Sequence, residues 1–135
     1  MTNVIENSVN TGAIFAERRT GHDLFYNYIL KFGFDEITGI GLPGEVSGNL
    51  KNLRTSFRDI NFATASFGQG VSVTPLQLIN AVSAIANRGI LMRPQIIEGV
   101  GPEEIRRVIS SDTAEAVTNM MTSAVKKADV AQIAG

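Results

Sequence analysis

The sequence predicts a predominantly α-helical chain with short strands, and three observations carry that prediction. Apolar residues recur at helical spacing in several segments bounded by capping residues and glycines. One short apolar stretch, 90–98, reads as a strand with a nearby partner. With 135 residues and 44% apolar content, the chain is one domain's worth, with enough apolar side chains for a core.

Taken in order, Ser8-Val-Asn10-Thr11-Gly12 is a polar turn leading into a first helix, with Asn10 or Thr11 as cap, Ala13, Ile14 and Phe15 near its start and Gly21 as its end. From Asp23 to Lys31, the spacing of Leu24, Phe25, Tyr28, Ile29 and Phe32 predicts a second amphipathic helix, closed by Gly33. Residues 33–56 change character: Gly33, Gly39, Gly41, Pro43, Gly44 and Gly48 punctuate short apolar pieces, the pattern of a long, ordered surface excursion. Residues 59–70 combine small and aromatic side chains before Gly68-Gln69-Gly70 and predict a buried turn with close backbone approach.

The next helix carries the clearest signals. Thr74 can cap it, Pro75 suits the first helical position because it has no amide to leave unpaired, and Gln77 sits where a capping box needs it. Leu76, Leu78, Ile79, Val82, Ile85 and Ala86 are its expected buried stripe, and Asn87-Arg88-Gly89 its end. Ile90 to Glu98 is strand-like but interrupted by Pro94, and residues 106–110 are its expected antiparallel partner across Gly101-Pro102. A last helix is expected from Ser111 or Asp112, with Glu115 completing a capping signature and Ala116, Val117, Met120, Met121 and Val125 as its core face. The apolar ending from Asp129 stops abruptly, and the chain is expected to be one domain, 1–135, truncated at both ends.

Composition removes whole classes of function. Twelve basic against 13 acidic side chains leave a net charge of −1, which gives no broad basic surface for a nucleic-acid backbone. Without cysteine, and with His22 as the only histidine, there is no thiolate nucleophile and no ligand cluster for zinc or haem, so neither cofactor nor metal is expected. No apolar run approaches the roughly 20 residues that cross a bilayer, and the N-terminus lacks the order of a signal peptide.

Gly39-Ile-Gly-Leu-Pro-Gly44 matches a dinucleotide fingerprint literally, but that motif works only between a strand and a helix N-terminus, and here Glu45 puts a carboxylate where phosphate would sit. A loop is therefore expected. His22 stands at a helix entrance with no serine or carboxylate at a suggestive spacing, which favours a capping or surface role. The charge pairs Arg18-Arg19, Glu103-Glu104, Arg106-Arg107 and Lys126-Lys127 read as solvated faces, and Met120-Met121 as core filler. Ser8 and Asn10 are on turn statistics a cap and its neighbour. In a locally extended turn, however, residues two apart put a hydroxyl and an amide on the same side, as a proton relay beside a grip for a peptide amide requires.

Together, Ser8-Val-Asn10-Thr-Gly12, Phe32-Gly-Phe34, Thr38 through Gly48, Ala63 through Gly70, Thr74-Pro-Leu-Gln-Leu78 and Ala84 through Pro94 resemble, in order, the transpeptidase domain of class B penicillin-binding proteins. The resemblance covers nearly the whole chain. It implies the α/β family fold shared with serine β-lactamases, of which this segment would be a mostly helical part, and a cell-wall enzyme that cross-links stem peptides through an acyl-serine and is the target of β-lactams. Of that family's elements S-x-x-K, S-x-N and K-T-G, Ser8-Val-Asn10 matches the second. The other two are expected outside the chain, which would leave it inactive alone.

The resemblance further implies that Ser8 hydrogen-bonds the active-site lysine and passes the proton to the leaving amine, while Asn10 holds the substrate's amide. Residues 63–70 and the Thr74 helix would be scaffold behind the cleft wall. Peptidoglycan stem peptides and β-lactams would be the partners, and the whole protein would work outside the cytoplasmic membrane, anchored to it. Apolar faces such as Val82, Ile85 and Ala86 are expected to drive self-association. A non-catalytic interaction module of the same fold and a related β-lactamase or β-lactam sensor remain alternatives.

Overall fold

The computed structural model describes residues 1–55 and 58–128. The expected apolar ending from Asp129 lies outside the described residues. Among the described residues, seven helices and one two-stranded sheet follow in the order α1 (Thr2–Glu6), α2 (Asn10–Thr20), α3 (His22–Lys31), α4 (Lys51–Thr55), α5 (Asp59–Ala65), α6 (Pro75–Ala86), β1 (Ile90–Met92), β2 (Glu104–Arg107) and α7 (Ser111–Lys127). The helical prediction holds, with three helices more than the pattern announced: α1 precedes the Ser8 turn, α4 lies within the expected excursion, and α5 occupies most of the predicted 59–70 turn. That segment does bury Phe62 and Ala63, and the turn itself follows at 66–70, where Gly68 takes φ 87°.

The α6 N-terminus is built as its sequence dictates. Thr74 Oγ1 accepts from the Gln77 amide at 3.1 Å while Gln77 Oε1 accepts from the Thr74 amide at 2.8 Å, and Pro75 opens the helix. Gln77 goes further: its Nε2 donates to the carbonyls of Gly33 (3.2 Å) and Glu36 (2.8 Å), fastening the 33–36 turn to α6 with a side chain that is fully buried. The buried face of α6 differs from the expected stripe. Ala81 and Ala84 are buried, whereas Leu78, Ile79 and Val82 are exposed, Ile79 by 61%. The small Ala84 lets α6 lie close on the hairpin, where Ala84, Leu91 and Val108 form a core cluster with Phe32 and Ile109 against it.

The predicted hairpin is present with shifted bounds. Ile90 pairs with Arg107, Leu91 with Arg106 and Met92 with Glu104, antiparallel, with an irregularity between Leu91 and Met92. Gly89 adopts φ 85°, and a β-carbon there would stand 2.2 Å from the Ile109 carbonyl oxygen, so both the conformation and the close approach require glycine. Ser110, one residue before the expected start, caps α7 by accepting from the Thr113 amide at 3.2 Å; Glu115 plays no part in that cap. Ala114 is the buried residue of α7, and Ala116 and Val125 of the expected core face are exposed.

The segment 33–55 is ordered as expected but not wholly superficial, since Thr38, Leu50 and Leu53 are buried within it. The charge pairs are solvated as expected, all but the half-buried Arg106 being exposed, and some of them also tie elements together. Arg106 donates to the Lys31 carbonyl at the end of α3 and pairs with Glu36, and Arg18 pairs with Asp59 at 2.8 Å.

Candidate active site

The Ser8 turn is made by the end of α1. Asn7 is the C-cap residue of that helix, the Ser8 amide donates to the Ile5 carbonyl (3.3 Å), and the Val9 amide donates to the Val4 carbonyl (3.0 Å). These are the two bonds of a Schellman motif, whose penultimate position is left-handed and is usually glycine. Ser8 occupies it with φ 49°. Val9, extended, is then the N-cap of α2 with no side-chain cap bond, and Asn10 is the first helical residue.

Two expectations change here. The turn is left-handed at Ser8 rather than locally extended throughout, and neither Asn10 nor Thr11 caps α2. Among the described residues no hydrogen bond engages the Ser8 hydroxyl or the Asn10 carboxamide, and both residues are exposed. They lie together on the wall of a cleft of about 260 Å³ with Val4, Val9, Ala13, Ser66 and Phe67. Ser66 and Phe67, from the turn after α5, line this cleft as well. Gln69 is not among the lining residues. Gly12, one turn into α2, makes the geometry possible: a β-carbon there would stand 2.5 Å from Val4 Cγ2, so glycine lets α1 and α2 cross closely enough to fold the turn between them.

His22 is placed at a helix entrance, as expected, but not without carboxylates. Its Nδ1 is 2.6 Å from Glu17 Oε1, its Nε2 is 3.2 Å from Asp59 Oδ1, and its ring stacks on Phe62 with centroids 4.2 Å apart. Glu17 is buried, so His22 supplies it with a partner while joining α2, α3 and α5. The sequence separations, five residues to Glu17 and 37 to Asp59, carry no local signal.

The Gly39–Gly44 segment is a loop with its own anion. Glu45 Oε1 accepts from the Thr38 amide and hydroxyl, both at 2.6 Å, and Oε2 accepts from the Gly39 amide at 3.2 Å. The Thr38 hydroxyl above all, with the backbone amides, holds the Glu45 carboxyl below the usual carboxylate range. The amides that a phosphate would use are therefore occupied from within the chain.

One literal S-x-x-K, Ser123-Ala-Val-Lys126, passed over in the sequence, lies in the last turns of α7, after Ser8-Val-Asn10 rather than before it. Its Ser123 hydroxyl is committed to Glu6, and Lys126 lies on the groove between α6 and α7. Among the described residues no group of three or more His, Cys, Asp or Glu side chains is placed to hold a metal ion, and no helix is long and apolar enough to cross a membrane.

The penicillin binding protein transpeptidase domain matches residues 1–135 of this mostly helical segment, and the chain belongs to that family. Among its relatives, it is 35% identical to penicillin-binding protein PbpB of Mycobacterium tuberculosis over 93% of this chain and 20% of that protein. It is 37% identical to stage V sporulation protein D of Bacillus subtilis, over 90% of this chain and 21% of that one. Its structure is similar to penicillin-binding protein 3 of Mycobacterium tuberculosis complexed with aztreonam, with a TM-score of 0.78 at 34% identity, over 89% of this chain and 29% of that chain. The chain thus spans about a fifth of the length of these curated relatives.

Proposed function

We propose that residues 1–135 are part of a peptidoglycan D,D-transpeptidase domain and that Ser8 and Asn10 are its S-x-N element. Family membership supports this, as does the aztreonam complex of the mycobacterial relative. The observation that carries it is local: Ser8 sits in a conformation unfavourable for a side chain, and its hydroxyl and the Asn10 carboxamide stay uncommitted on one cleft. Backbone strain of this kind persists where function holds it.

In this reading a serine and a lysine outside the chain carry out the acyl transfer. The nucleophilic serine gives its proton to the lysine as its oxygen bonds to the substrate carbonyl carbon, and the peptide C–N bond breaks as the Ser8 hydroxyl relays that proton to the leaving amine. An acceptor amine then displaces the serine oxygen, which takes a proton back. The Asn10 carboxamide orients the donor peptide, or the side-chain amide of a β-lactam. The whole protein works outside the cytoplasmic membrane, anchored to it.

Residues 1–135 alone lack the nucleophile. After incubation with a β-lactam, intact mass is expected to show an adduct on a whole domain containing this segment and none on residues 1–135. No adduct on either contradicts the transpeptidase reading, and an adduct on the short chain contradicts the placement of the nucleophile. Exposed Leu78, Ile79, Val82 and Val125 also favour self-association of the isolated chain. Sedimentation of a monomer resistant to protease would contradict that part.

A further inference from the structure

We propose that Glu6, held by Ser123 and Lys127 of α7, is the positioning residue that keeps Ser8 in its left-handed turn. The proposal rests on the reading of Ser8 and Asn10 given above. α1 has five residues, no side-chain cap at its N-terminus and no buried residue. A helix so short is unstable by itself, yet it must end in a Schellman motif with serine at the left-handed position, a conformation that disfavours every residue but glycine. Something outside α1 has to hold it.

The most extensive contact between any two elements among the described residues is α1 against α7, and its polar centre is Glu6. The Ser123 hydroxyl donates to Oε1 and the Lys127 ammonium lies 3.3 Å from Oε2, with the Glu6 side chain only 16% exposed. The same ammonium donates to Asn7 Oδ1 at 3.1 Å. The two residues immediately before Ser8 are therefore fastened to one lysine of α7. Ser123 first, then Lys127, holds the Glu6 carboxyl below the usual carboxylate range, so the tie is charged at neutral pH.

Amide hydrogen exchange on the chain 1–135 tests the tie. Glu6→Ala is expected to lower protection of the Ser8 and Val9 amides about tenfold, the size of one hydrogen bond to a charged group, while the Leu78 amide, bonded to Thr74 within the α6 cap, keeps its protection. Glu6→Gln, which keeps an acceptor for Ser123 but not the charge, should give a smaller loss. If Glu6→Ala unfolds the chain, Leu78 reports it and Glu6→Gln carries the test. Unchanged protection at Val9 in a folded Glu6 variant overturns the proposal.

In a whole transpeptidase domain containing this segment, Glu6→Ala is expected to slow β-lactam acylation about tenfold through the acylation rate constant rather than initial binding. Exchanging the charges, Glu6→Lys with Lys127→Glu, should restore part of it. Lost protection with unchanged acylation, in a domain where Ser8→Ala does slow acylation, overturns the positioning role. If Ser8→Ala itself leaves acylation unchanged, the proposed function fails, and the exchange result alone decides whether α7 holds the turn.

Discussion

The N-terminus of α6 and the turn at Ser8 both set the entry to a helix, yet they are built in opposite ways. At Thr74 the cap, the proline and the reciprocal glutamine lie within four residues, and each local preference agrees with the result. At Ser8 the local preferences disagree with it: a serine stands where glycine is favoured, α2 starts without a side-chain cap, and the short preceding helix is held by α7, 117 residues on. A structural element can be specified by its own residues, whereas this turn is specified by what packs on it.

Substitutions on the two sides should separate these modes. Gln77→Leu is expected to cost the most, about 3 kcal/mol in denaturant unfolding, because it leaves the Gly33 and Glu36 carbonyls and the Thr74 amide without their partner. Gly12→Ala should destabilise by about 1–2 kcal/mol, since overpacking against Val4 outweighs the gain in helix propensity. Adding Val4→Ala should return most of that loss, and additive effects would show that the two do not meet. Thr74→Ala is expected to cost about 1 kcal/mol, a cap lost from a helix otherwise intact.

Ser8→Gly should run the other way, stabilising the fold by about 0.5–1 kcal/mol by relieving the left-handed serine, while removing the hydroxyl on which the proposed chemistry depends. Destabilisation by glycine would mean that Ser8 is not strained. The smallest effect is one of pH. The Glu45 carboxyl is held below its ordinary value chiefly by the Thr38 hydroxyl. What it contributes to the loop is therefore fully present above the ordinary carboxylate range and lost as pH falls through the lowered value. Amide shifts of Thr38 and Gly39 should report this loss in acid and lose that dependence in Glu45→Gln.

The same contrast explains what the sequence revealed. α3, the α6 cap, the hairpin and the rejection of a phosphate loop at Gly39–Gly44 are all settled within a few residues, so periodicity and turn chemistry found them. α1 has neither a cap nor a periodic face of its own, and α5 is only seven residues long and runs into Gly68-Gln69-Gly70, so the turn signal masked a short helix that its alanines favour. The face of α6 differs from the expected stripe because large apolar side chains suggest burial, whereas it is the small Ala84 that packs on the hairpin. His22 acquired its carboxylates only when α2 and α5 came together. Ser8 and Asn10 were legible as a motif, but their conformation was not.

The most direct measurement is rapid-mixing acylation by a β-lactam of a whole transpeptidase domain containing this segment, with Ser8→Ala and Asn10→Ala compared with the unaltered domain. The proton relay predicts that Ser8→Ala lowers the acylation rate constant by about a hundredfold, while Asn10→Ala weakens the initial complex. Two variants that acylate and bind as the unaltered domain does would contradict the assignment of Ser8 and Asn10 to the chemistry.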